Sequence, residues 1–110
     1  MGRHVLVVYT NPVEGEEDEY NKWYDETHVP DIVAVPGVVS GRRLQLTKVA
    51  GTGEGATHEY LALYEIDGDP AAVVAEIGAR VGNGQMVLSS AADLPGTNMA
   101  VFTYRDPAAD

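Results

Sequence analysis

The stretch HVLVVYT, residues 4–10, is β-branched and almost continuously apolar, the pattern of a strand covered on both faces. This first strand is placed over residues 3–10, with Asn11 and Pro12 ending it. The run HEYLALYEI, residues 58–66, sets His58, Tyr60, Ala62 and Tyr64 on one face and Leu61 and Leu63 on the other. MAVFTY, residues 99–104, reads as a last strand. Strands this apolar on both parities leave neither face of their sheet suited to water.

The segments between them supply two helices. EGEEDEY gathers acidic groups in a first helical turn, where they favour the positive end of the helix dipole. At about 100° per residue, Val13, Tyr20, Trp23, Tyr24, Thr27 and His28 share one side of this helix, and Lys22, Asp25 and Glu26 fall opposite. Pro30 disfavours helical geometry at Val29, so the helix is expected to end there, with room for a short extra turn over residues 31–35. VVSGRRLQLTKV, from near Gly37, is the second strand; Gly41 signals a bulge and leaves the parity beyond it open. A glycine-rich connection, AGTGEGAT, makes a hairpin with the third strand. Asp69 and Pro70 provide an N-cap and a first-position proline for a second helix over residues 70–81, where Val73, Val74, Ile77 and Val81 recur at helical spacing. Residues 82–98 read as a long connection. The order β-α-β-β-α-β places residues 1–110 in one α+β domain of ferredoxin-like architecture, with one antiparallel sheet carrying both helices on a single face. The other face then calls for a second copy of the chain, a homodimer formed through the sheets.

Seventeen acidic against seven basic side chains give a net charge of -10, which repels nucleic acid and anionic membrane surfaces. Cysteine is absent, which excludes disulfides, thiol nucleophiles and cysteine-held metals. His4 and His58 lack a paired metal-ligand spacing, and GTGEG precedes a strand where a phosphate loop would precede a helix. No metal or cofactor is therefore expected. The apolar run at the N-terminus is too short for a membrane span, so a cytoplasmic protein is expected.

YNKWYDETHVPDI (20–32), VPGVVSGRRL (35–44) and YLALYEID (60–67) resemble the EthD-like and HapK-like branch of the dimeric α+β barrel superfamily, most specifically from Tyr20 to Leu44. The resemblance implies two ferredoxin-like subunits whose sheets meet back to back, each with a mostly apolar pocket for a small, often aromatic molecule. The superfamily spans cofactor-free monooxygenases, polyketide cyclases, lactone isomerases, haem-degrading enzymes and proteins of no assigned activity, so it names no reaction.

His28, at the edge of the inward helix face, is the candidate general acid/base. An imidazole near its reference pKa of about 6.5 suits enolisation, aldol closure or dehydration of a poly-carbonyl compound. Its alternative role is to end the helix by bonding loop carbonyls around Pro30. Asp31 either orients that ring or is a solvated turn residue. Tyr20, Trp23 and Tyr24 either stack on a ligand or fill the core, and Tyr60 and Tyr64 line either the pocket or the dimer barrel. Of Arg42 and Arg43 only one sees the pocket; Arg43 is the candidate, with an acidic substrate group or a salt bridge as its partner. Asn11 polarises a carbonyl or simply caps a turn. Together these point to a cofactor-independent enzyme acting on a polyketide-like or aromatic compound. A cofactor-free monooxygenase and a non-catalytic dimer binding a hydrophobic metabolite are the alternatives.

Overall fold

The computed structural model describes residues 3–105. Four strands form one antiparallel sheet: β1 (His4–Thr10), β2 (Val38–Gln45), β3 (Tyr60–Ile66) and β4 (Asn98–Thr103), in the spatial order β2-β3-β1-β4. The helical segments are α1 (Glu17–Trp23), α2 (Val29–Val33) and α3 (Pro70–Gly82), with a single π-helical turn over Tyr24–His28 joining α1 to α2. This is the ferredoxin-like architecture expected from the sequence.

The register explains which residues look at the helices. Across β1 and β3, Leu6 pairs with Tyr64, Val8 with Ala62 and Thr10 with Tyr60. These six are buried and, apart from Thr10, join Ile66, Tyr20, Tyr24, Ile32, Val35 and Val73 in one apolar core. Side chains of opposite parity, such as Leu61, Leu63, Leu44 and Phe102, lie on the far side of the sheet. Leu44 and Phe102 are exposed there, at 46% and 55%.

Three features differ from the sequence expectation. The first helix does not stop before Pro30: His28 and Val29 keep right-handed helical backbone angles, and the path continues through α2. A proline ring inside a helix collides with the carbonyl four residues back. Here the turn just before it widens, with the Val29 N–H donating to the Tyr24 carbonyl five residues earlier, and the chain passes the proline without breaking. Second, α1 begins only at Glu17, so Val13 lies in the preceding turn and is exposed, as is Thr27.

Third, the strand irregularity sits between Val38 and Ser40 and not at Gly41. Gly41 pairs with Tyr64, and a Cβ there would stand 3.0 Å from the Tyr64 ring and 3.0 Å from Val33 Cγ2. The glycine makes room for a tyrosine. With no bulge after it, Arg43 faces the helices and Arg42 faces away.

The connection from α3 to β4 is a packed strap. Met86, Ala91 and Ala92 are buried in the core, Val13 N–H donates to the Ala91 carbonyl at 2.7 Å, and Asp93 N–H donates to the Asn11 carbonyl at 2.9 Å. Pro12 and Ala92 form an isolated bridge. The strap is thereby tied to the end of β1. Among the described residues no helix is long and apolar enough to cross a membrane.

Candidate active site

A cavity of about 620 Å³ lies between the sheet and the helices. Leu6, Val8 and Thr10 form its floor; Trp23, Tyr24, His28 and Ile32 form one wall, and Val74, Ile77 and Val81 of α3 another. Tyr64 closes the back, and the strap contributes Leu88, Ala92, Leu94 and Thr97. No carboxylate, ammonium or guanidinium is among the lining side chains, which suits an apolar ligand oriented by a few polar groups.

His28 is one of those groups. Trp23 stacks on its ring with centroids 4.5 Å apart and planes 22° from parallel, and Tyr24 meets it edge-on at 5.1 Å. The indole is itself held, since Trp23 Nε1 donates to the Val87 carbonyl of the strap at 3.1 Å. Nδ1 of His28 is closed off from solvent and has no hydrogen-bond partner. Burial lowers the imidazole pKa to about 4, with the charge of Asp31 opposing the shift. The ring is neutral at pH 7, and the expectation of a group titrating near 6.5 is corrected. Asp31 acts on the ring through its charge and makes no hydrogen bond to Nδ1.

The tyrosines form the polar end of the site. Tyr64 and Tyr24 line the cavity; Tyr20 and Tyr60 stand behind them, with ring centroids of Tyr20 at 5.5 Å from Tyr24 and 5.2 Å from Tyr60. Burial raises the pKa of Tyr64 well above its ordinary value and that of Tyr24 to about 12, with Tyr20 adding to both. Their hydroxyls remain protonated at pH 7. The Tyr64 hydroxyl is buried without a partner. Tyr20 and Thr10 share a hydrogen bond between their hydroxyls, and Tyr60 donates to Glu17 while accepting from Asn21 at 3.3 Å. Tyr60 borders a second hollow, of about 440 Å³, beside the β2–β3 loop.

Arg43 lies across three of these rings, its guanidinium carbon 4.4 Å from the centroid of Tyr24, 5.1 Å from Tyr60 and 5.2 Å from Tyr20. It donates to Asp25 Oδ1 at 2.8 Å and to Asn21 Oδ1 at 2.9 Å. Its ion pair is thus internal, and it is not among the cavity-lining residues. Asn11 is also outside the lining: its amide donates to the Thr57 carbonyl at 3.0 Å and accepts from Glu59 N–H at 2.7 Å, which extends the β1–β3 pairing. The sequence brought out His28, Trp23, Tyr24 and Tyr64 as site candidates, and all four line the cavity. Thr10 was missed, although its parity with Leu6 and Val8 on β1 is the signal that places it beside them.

No protein-family model matches the chain, and no curated protein matches it in sequence. Solved structures do share its shape. The haem degrader MhuD of Mycobacterium tuberculosis, solved with two haems bound in its active site, superposes with a TM-score of 0.61 at 16% identity, over 92% of this chain and 94% of its own. A monooxygenase candidate from Shewanella loihica gives 0.56 at 19% identity, over 96% and 97%. An EthD family protein from Bacillus halodurans gives 0.61 at 10% identity, over 93% and 99%. The chain therefore shares its ferredoxin-like fold with these three structures, an EthD family protein among them.

Proposed function

We propose that this protein is a cofactor-independent enzyme acting on a small polyketide-like or aromatic molecule held in the 620 Å³ cavity, with His28 as its proton acceptor. The observation that carries the reading is an imidazole stacked on Trp23 in the wall of a cavity without charged side chains, where burial favours its neutral form. A neutral ring at pH 7 accepts a proton at Nε2 from the carbon next to a substrate carbonyl, leaving an enolate. The imidazolium so formed has a buried Nδ1–H without an acceptor, so it is costly and passes its proton on. Return to another carbon gives isomerisation, and delivery to a departing hydroxyl releases water. Trp23 and Tyr24 fix the plane of the substrate.

The structural likeness to a monooxygenase candidate supports a second reading, in which the same enolate reduces molecular oxygen. Haem fits the cavity less well: its two carboxylates would meet no cationic side chain there. The far face of the sheet, with Leu44, Leu61, Leu63 and Phe102, is where we place a second copy of the chain.

Replacing His28 with glutamine tests the assignment. Turnover of a poly-carbonyl aromatic substrate is expected to fall at least about a hundredfold while substrate affinity changes little. Unchanged turnover removes His28 from the mechanism, and oxygen uptake in step with turnover selects the oxygenase reading. Binding without turnover by the unaltered protein leaves a binding module.

A further inference from the structure

Apart from Tyr24, which helps fix the substrate's plane, the tyrosines at the polar end of the cavity take no part in the proton transfer just described, yet Tyr20, Tyr24 and Tyr60 surround one cation. Arg43 has only 13% of its side chain exposed, while its carboxylate partner Asp25 is 62% exposed. Water screens the aspartate far more than the guanidinium, so the field reaching the interior is positive. That charge acts on the hydroxyls of Tyr20, Tyr24, Tyr60 and Tyr64 alike. Tyr20 is the member of the cluster hydrogen-bonded to a second hydroxyl, that of Thr10, which is 5% exposed and forms part of the cavity floor.

We propose that the Thr10 hydroxyl is the donor that meets the substrate's carbonyl oxygen, and that Tyr20 and Arg43 are positioning residues aligned behind it. A cation beside the Tyr20 oxygen favours Tyr20 as the donor of the shared bond. Thr10 Oγ1 then accepts from Tyr20, and its own hydrogen turns to the cavity side, where the Tyr24 hydroxyl also lies within its reach. An oxygen on which negative charge develops gains from such a preset donor in a water-poor site, and the effect grows as the charge grows. The arrangement adds to the Tyr24 and Tyr64 hydroxyls of the lining a preset dipole for an enolate or phenolate, without a formal charge in contact with the ligand. The lining admits a neutral keto or phenolic compound and offers no cationic side chain to a carboxylate or phosphate. This inference rests on the cavity being the ligand site.

The test uses 4-nitrophenol, whose phenolate absorbs where the phenol does not. Bound to the intact protein, it should ionise about one pH unit lower than when bound to Thr10→Val, a tenfold difference in its ionisation equilibrium. Thr10→Ser should keep the unaltered value, and Tyr20→Phe and Arg43→Gln should fall between, with circular dichroism confirming the fold of each. Should Arg43→Gln not fold, the nearly isosteric Thr10→Val and Tyr20→Phe carry the comparison. Equal ionisation of the probe on the intact protein and on Thr10→Val overturns the role of Thr10 while leaving the cavity as a binding site. Failure of the intact protein to bind the probe overturns both.

Discussion

The imidazole of His28 is governed by what surrounds it more than by where it falls on the helix. Its inward direction follows from helical spacing relative to Tyr20 and Tyr24 and was legible in the sequence. Its pKa was not, because the burial that lowers it to about 4 comes in part from Trp23, whose indole is held by Val87 of the strap. The unfolded chain therefore binds a proton at His28 near pH 6.5 that the folded chain refuses until about pH 4. Between those values the unfolded state holds more protons, so stability rises with pH across the window and is lost as pH falls through it, by roughly 3 kcal/mol in all. Urea unfolding at pH 4 and pH 7 should show this difference, and His28→Gln should reduce it. Turnover should likewise hold level from pH 8 down to about 5 and decline through about 4. For Asn11, whose amide bonds Thr57 and Glu59, alanine should cost about 1–3 kcal/mol in a urea melt while substrate affinity stays the same.

At the scale of elements, residue-by-residue rules succeeded where local propensity and packing agreed. Asp69 caps α3, its carboxylate accepting from Ala71 N–H at 3.0 Å with Pro70 at the first position, as its sequence indicates. They failed where packing overruled them. Pro30 reads as a stop, but a π turn one step earlier absorbs the ring and carries Ile32 into the core. Gly41 reads as a bulge, but it is a space left for Tyr64, and no local pattern announces a contact with a strand some twenty residues away. Because the neighbours of Gly41 are a buried ring and Val33, Gly41→Ala should destabilise by about 1–3 kcal/mol, measured by chemical unfolding. The same change should disturb Arg43, which sits two residues on along β2.

The whole molecule is a slab, 43 × 42 × 21 Å, consistent with one sheet layer and one helix layer. The two-sided apolarity of β1 and β3 was readable from the sequence, and the fold leaves Leu44 and Phe102 of the far face exposed in a single chain. A dimer through that face predicts that Leu63→Lys lowers the sedimenting mass from two chains to one, with secondary structure retained. A variant that sediments like the parent argues against that face as the interface. The cavity between the helices, the sheet and the strap was legible only as an expected apolar space, since the strap that borders it carries no periodic pattern.

The decisive measurement is the nuclear magnetic resonance titration of the His28 ring in the folded protein. A midpoint near pH 4 is the outcome required of an imidazole walled in by Trp23, Tyr24 and the cavity. A midpoint at or above about 6.5 would put the ring in water and contradict its place in the site.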